Sequence, residues 1–426
     1  MVPFKKPKIA ILTVRNSYNY GGILSTLKVT YQFCQNYFEP KVFFLGFDHE
    51  IATSLRRLKF TSSVKPLSYF GMNCIEVGAR WAFWEPGHYS FTYRHWKTLL
   101  KDYDYFFVVS GTCMAAHPLM LLHKKFTMWI GTPYNEDRAE RVKELDGVRY
   151  VLNQLAHQKM NAIEKKILSR SSFTWAISTY AKSKFEYILG HTRDTMVLCG
   201  YPIDCSKVSV VKKGGSEKII IAVGRFSDPR KNIDMLFRVF DKLYQQMSDI
   251  KLYIVGKKPL DEKLTQFSSL PSFQNIIFTG QIAGDDLFSL YRRAHLMLIT
   301  SYQEGLGIVG LEALLHGTPV VATDCGGTRD YVVNNISGFL VPINNDDEMV
   351  AHAYAVLSDD QLRERLAQGG RQLVEEIFAI GKIYALFKRG LVVAYPELQK
   401  WFEERDRMTK LLHERKTNVY LAQDIV

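Results

Sequence analysis

Apolar positions along the chain fall into short β-branched or aromatic runs, separated by longer stretches in which they recur every three or four residues. A short run fills one buried strand and the wider spacing marks one face of a helix, so the alternation predicts parallel α/β layers. In the first half, strands are expected over 8–14, 41–45, 105–109, 127–130 and 173–177, with helices over 24–37 and 151–168. The second half repeats the alternation, with strands over 218–223, 251–255, 275–278, 296–300 and 319–322 and helices over 233–246 and 310–316. Two doubly wound, Rossmann-like domains follow, residues 1–200 and 201–395, joined near Gly200-Tyr201-Pro202 and the polar stretch 212–216. Beyond them Leu398, Trp401, Phe402, Met408, Leu411 and Leu412 recur at helical spacing among charged residues, which predicts an amphipathic helical extension over 396–426.

Composition changes this picture little. With 47% apolar and 23% charged residues the chain reads as folded, and no apolar run approaches the length of a membrane-spanning helix. Lys5, Lys6 and Lys8 ahead of an apolar run imitate a signal peptide, but the run is short, ends at Arg15 and lacks a small-residue cleavage site. Six scattered cysteines without a C-x-x-C pair fit a reducing cytoplasm better than a disulfide framework or a zinc site, and no metal site is expected. Charge is more telling. Residues 1–200 hold 27 Lys and Arg against 15 Asp and Glu, whereas 201–426 hold 28 of each, so the whole excess of +12 lies in the first half. Such a surface suits nucleic acid, an anionic membrane or an anionic substrate.

The chemistry concentrates in 296–330, where a buried strand runs into a glycine-rich turn and a helix. Gly305, Gly307 and Gly310 match the G-x-G-x-x-G dinucleotide fingerprint, but no acidic residue stands about 20 positions on, and Asp324 comes too early. What the turn offers is a row of backbone N–H groups at a helix N-terminus, where phosphate is favoured. Glu304 and Glu312 bracket it. Eight residues make about two helical turns, so both carboxylates can face one elongated ligand and accept hydrogen bonds from its hydroxyls. The plainer reading is two solvated helix glutamates, which the apolar neighbours of both argue against.

Here the chain resembles glycosyltransferase family 4, whose E-x7-E motif this is. The resemblance implies the two-domain GT-B fold, with Glu304 on the donor sugar, Glu312 on the nucleotide ribose, and the backbone from Gly305 through Leu306 and Gly307 to Ile308 against sugar and phosphates. A second match follows the strand at 218–223, where Gly224-Arg225 and Lys231 stand as the family's diphosphate-gripping residues do, in the Pro-Arg-Lys form of phosphatidylinositol mannosyltransferases. An Arg and a Lys there would stabilise charge on the departing nucleoside diphosphate, so Arg225, Lys231 and Glu304 are the expected catalytic residues. Ile282 occupies the position near the base. Gly21-Gly22 resembles the family's N-terminal glycine loop, or is simply a turn before a helix. Many members carry a His after the strand at 127–130, where this chain reads Trp129-Ile130-Gly131-Thr132-Pro133-Tyr134. His117 in the preceding loop is the substitute, or else plain polar surface.

The expected activity is retaining, metal-independent sugar transfer from a UDP- or GDP-linked donor to an acceptor hydroxyl in glycan, glycolipid or envelope polysaccharide synthesis, with no cofactor. The expected partners are that donor, a glycan or lipid-linked acceptor and, peripherally, the anionic inner face of the cell membrane, but not nucleic acid. Aromatics at Trp81, Phe83, Trp84, Tyr89, Phe91, Tyr93 and Trp96 suit a headgroup layer, or a core or acceptor groove. Two other readings remain: a nucleotide-sugar epimerase of similar fold, which the Glu304/Glu312 spacing argues against, and a non-catalytic glycan-binding relative, motivated by the missing His. Asp102-Tyr103-Asp104 precedes its strand and reads as a turn, not a metal-binding D-x-D.

Overall fold

The computed structural model describes residues 5–15, 22–47, 50–53, 60–80, 89, 92–143, 145, 147–207, 217–282 and 284–423, without the side chains of 148, 149 and 411–423. Two sheets carry the molecule. The first holds β1 (Lys8–Val14), β2 (Glu39–Gly46), β3 (Val64–Tyr69), β4 (Met72–Gly78), β5 (Tyr105–Ser110), β6 (Thr127–Ile130), β7 (Phe173–Ala176) and β8 (Met196–Leu198), in the order β3-β4-β2-β1-β5-β6-β7-β8. The second holds β9 (Lys218–Val223), β10 (Ile250–Val255), β11 (Ile276–Gly280), β12 (Leu296–Ile299), β13 (Val320–Thr323) and β14 (Gly338–Val341), in the order β11-β10-β9-β12-β13-β14. The paired strands run parallel apart from the β3/β4 hairpin.

The central strands are apolar on both faces, as a sheet covered by helices on each side demands. Ile9 to Leu12 and Ile220 to Ile221 are wholly buried. Strands β1 and β9 match their sequence expectation, as does the helix Ile233–Gln246. The hairpin, β8 and β14 were not legible. β3 carries Pro66 and exposed polar positions, which only an edge strand tolerates. Its turn places Phe70 and Gly71 at φ 49° and 75°, a two-residue geometry usually announced by Asn-Gly.

In each sheet the strand order reverses beside the first strand, between β1 and β5 and between β9 and β12. Ligands of such folds settle at the carboxyl ends of strands at these switch points. Here the two switch points face each other across a cleft.

The sequence assigned residues up to 395 to the second domain, yet the helix Ile380–Ala394 packs on the first. Phe387 meets the rings of Phe107, Trp129 and Trp175. The helix Leu398–Gln423 follows it: Trp401 Nε1 donates to Tyr37 O at 2.9 Å, and Phe402 packs edge-on against Tyr37. The chain therefore crosses between domains twice. The crossings lie side by side, since Ile203 N donates to Phe378 O at 2.8 Å and Ile380 N donates to Ile203 O at 2.9 Å.

Of the readings open for the aromatic stretch, the described residues favour the core. Trp96 and Tyr89 are core residues, and only Tyr93 is exposed among those described; Trp81, Phe83, Trp84 and Phe91 lie outside the described residues. Trp96 is the buried residue of its short helix and sits against Phe43 of β2, so its ring supplies hydrophobic packing. No helix among the described residues is long and apolar enough to cross a membrane.

Candidate functional site

A cavity of about 490 Å³ opens between the domains at the carboxyl ends of the central strands. The first domain contributes Gly22 to Thr26 after β1, Ser110 and Gly111 at the end of β5, and Gly131 after β6. The second contributes Gly224, Arg225, Arg230 and Lys231 after β9, Gln281 and Ile282 after β11, Glu304 to Val309 after β12, and Glu312. The structure thus gathers the sequence-expected donor residues Gly22, Gly224, Arg225, Lys231, Ile282, Glu304, Gly305, Leu306, Gly307, Ile308 and Glu312 on one wall system. Gly21 lies outside the described residues.

His117 does not join them. It opens the helix His117–Leu121 and directs Nδ1 at Tyr89 O, 2.7 Å away, among buried residues. Burial holds its pKa below the usual value, more than the Tyr89 carbonyl raises it. Its place is in the packing of the first domain and not among the cavity's lining residues.

The loop after β12 owes its shape to its glycines. Gly307 caps the helix Ile308–Leu315 at φ 81°, and a Cβ there would lie 2.6 Å from Tyr331 Oη. Both facts demand glycine, since an L side chain is strained in that region and here also clashes. The turn brings the helix N-terminus, with its partial positive charge, onto the cavity. After β9, a Cβ at Gly224 would lie 3.2 Å from Lys231 Cε, so the missing side chain lets Lys231 pass into the site.

Lys231 Nζ donates to Glu304 Oε1 at 2.5 Å, and Ser301 Oγ donates to the same oxygen at 2.7 Å. Burial opposes a charge on Glu304, but Lys231 and Ser301 outweigh it and hold the carboxyl below its usual pKa. Glu312 is the opposite case. Burial pushes its carboxyl up to about 7, and the bond donated by Tyr291 Oη at 3.2 Å offsets only part of that. The two glutamates therefore differ electrostatically: one is a paired anion, the other a carboxyl poised near neutrality. Arg225 is 37% exposed and meets Asp228 only at 3.6 Å, which leaves it free to turn to a ligand.

Arg230 is the arginine of the Pro229-Arg230-Lys231 stretch, to which the sequence assigns no role of its own. It is largely buried, and its guanidinium is shared among Asp228, Gln303 and Asp137, the last from the first domain. Burial works against a charge on Asp228, yet Arg230 brings that carboxyl down to about 2. Nothing in sequence spacing pairs residues 137 and 230. Only the meeting of the loops after β6 and β9 does.

Residues 207–373 match the family model of glycosyl transferases group 1. The phosphatidyl-myo-inositol mannosyltransferase of Mycolicibacterium smegmatis is 32% identical over 171 residues, 40% of this chain and 41% of that protein. The sulfoquinovosyl transferase of Arabidopsis thaliana is 30% identical over 39% of this chain and 32% of its own. The matches thus span about two fifths of these relatives or less. Among solved structures, the Anabaena protein HepE in complex with UDP-glucose superposes with a TM-score of 0.67 at 16% identity, covering 90% of this chain and 99% of that one. The chain has the GT-B fold, and the segment that matches the glycosyl transferases group 1 model lies in the second domain.

Proposed function

We propose that the chain is a retaining glycosyltransferase of family 4 type, moving a sugar from a UDP- or GDP-linked donor to an acceptor hydroxyl. What supports this reading is the convergence of two carboxylates, Glu304 and Glu312, and two cations, Arg225 and Lys231, on one cavity. The carboxylates suit the hydroxyls at the two ends of a sugar–pyrophosphate–ribose ligand. The cations suit the negative charge that gathers on the departing diphosphate. Both Lys231 and Ser301 donate to Oε1 of Glu304, and Oε2 is the oxygen assigned to the sugar hydroxyls. An arriving diphosphate gives Lys231 a second anionic partner beside Glu304.

The acceptor approaches from the first domain. Among the described residues, that side of the cavity carries no carboxylate and no histidine. By the family resemblance the leaving phosphate itself takes the acceptor proton, on the face from which it departs, which retains the anomeric configuration without a covalent enzyme nucleophile. Cations in the place of a metal make the reaction metal-independent.

The acceptor is a glycan or a lipid-linked glycan, and the protein works in the cytoplasm at the inner face of the cell membrane. Support for a peripheral membrane contact comes from the helix Gly147–Arg170, which leaves Tyr150, Val151, Leu152 and Leu155 exposed and carries Lys159, Lys165 and Lys166. Apolar rings and chains beside cations suit an anionic headgroup layer.

A panel of UDP- and GDP-sugars incubated in EDTA tests the activity. Slow release of nucleoside diphosphate is expected. An isomerised donor would indicate an epimerase, and neither outcome would leave a glycan-binding module.

A further inference from the structure

The geometry points to Asp137 as a positioning residue that reaches from the first domain and, through Arg230, ties closure of the cleft to the shape of the phosphate loop. This rests on the donor-site reading above. Asp137 does not line the cavity, whereas Arg230 does.

Arg230 stands at a junction. Its Nε and Nη2 donate to Asp228 within its own loop, at 3.1 and 2.8 Å. Its Nη1 donates across the cleft to Asp137 Oδ1 at 2.8 Å and, within the second domain, to Gln303 Oε1 at 3.3 Å. Its carbonyl accepts from Tyr302 N at 2.7 Å. One residue thus grips the loop after β9, the loop after β12 immediately before Glu304, and the facing domain. Lys231 is its neighbour in the chain, so any shift of Arg230 moves both partners of the Lys231–Glu304 pair.

Asp137 is equally committed. Its Oδ2 accepts from Arg141 Nη2 at 2.6 Å, and Arg138 Nη1 lies 3.6 Å away. Three guanidinium groups around one carboxylate hold it charged and fixed, so Arg230 meets a rigid anchor. The side chains of Arg230, Asp228 and Asp137 are 12%, 10% and 23% exposed. A charged pair this enclosed is lost at a large cost when one partner goes, unlike a pair in open solvent. With its guanidinium engaged by Asp228, Gln303 and Asp137, Arg230 acts as a brace for the loop, and on the reading above Arg225 and Lys231 are the cations that meet the leaving diphosphate.

The test uses Asp137→Asn and Arg230→Lys. The first keeps size and removes the charge; the second keeps the charge and removes the planar fork that engages two carboxylates at once. Small-angle X-ray scattering reads the separation of the domains, and calorimetry with UDP and with GDP reads the phosphate site. Both variants are expected to give a larger radius of gyration than the wild type. Both should bind the nucleotide that the wild type prefers at least tenfold more weakly, although Asp137 lies outside the cavity. If Asp137→Asn does not fold, Arg230→Lys carries both measurements. An unchanged scattering profile, or an unchanged affinity, in the folded variants overturns the inference. A wild type that binds neither nucleotide overturns the transferase reading instead, and the scattering comparison still decides whether the pair holds the domains together.

Discussion

Lys231 and Glu304, 73 residues apart in the chain, form one ion pair at 2.5 Å that joins the loop after β9 to the loop after β12. Their side chains are only 16% and 13% exposed, so removing either one strands its partner's side chain in a largely buried place.

Replacing Lys231 by Ala should therefore do two things. Loss of leaving-group stabilisation lowers kcat by about 10²–10³. Stranding Glu304 lowers stability as well, by about 3 kcal/mol. The double variant Lys231→Ala/Glu304→Gln recovers most of that stability while remaining inactive. Arg225→Ala lowers kcat to a similar degree with an unchanged melting temperature, because Arg225 is exposed and only loosely paired. Melting curves and steady-state rates on the four proteins check this, and a double variant no more stable than Lys231→Ala alone would contradict it.

The two glutamates should separate in binding. Glu304→Gln reduces turnover more than affinity for the free nucleoside diphosphate, since its proposed contact is to the sugar. Glu312→Gln weakens binding of the nucleotide itself. Calorimetry with UDP and GDP in the absence of sugar distinguishes them, and the reverse pattern would exchange their roles.

The carboxyl of Glu312 predicts a pH dependence. Burial raises it from 4.5 to about 7. An acid whose folded pKa lies above its unfolded one favours folding while it is protonated, so this contribution is fully present below about 4.5 and is lost as pH rises to about 7. Glu312→Gln, which stays neutral, should show a gentler fall of melting temperature across that window than the wild type. Glu164, also pushed up to about 7 by burial, titrates in both proteins and cancels in the difference. Hydroxyls of a bound ribose favour the carboxylate, so nucleotide affinity should rise more steeply with pH through about 7 in the wild type than in the variant, the titration of the nucleotide's own terminal phosphate being common to both.

Most of the cavity's second-domain lining was legible in the sequence because its residues sit at strand ends, where short loops fix spacing to position. Glu304 and Glu312 follow β12 within one turn and helix, and Arg225 and Lys231 follow β9 at once. The acceptor side was not. Its loops are longer, and His117 lies away from the cavity lining because sequence distance from a strand end says nothing about which way such a residue turns. Arg230 and Asp137 escaped for a related reason: a charge in a loop looks solvated until the facing domain is in place.

Liposome co-sedimentation tests the peripheral membrane contact. The wild type should pellet with anionic and not with neutral vesicles, and less so as added salt shortens the Debye length. Leu155→Glu, at a position 71% exposed, should weaken that binding without altering the melting temperature. Equal recovery in the supernatant with both lipids at low salt would remove the membrane from the reading.

The adjoining crossings at Ile203 and Ala379 make residues 204–378 a cassette spliced into the first domain. Both of its ends leave from one point, pinned by two backbone hydrogen bonds. Such an arrangement lets that segment be exchanged as a unit. The first sheet keeps its covering helix Ile380–Ala394 whichever module is spliced between them, so under the proposed function donor preference and acceptor preference can evolve on separate schedules within one chain.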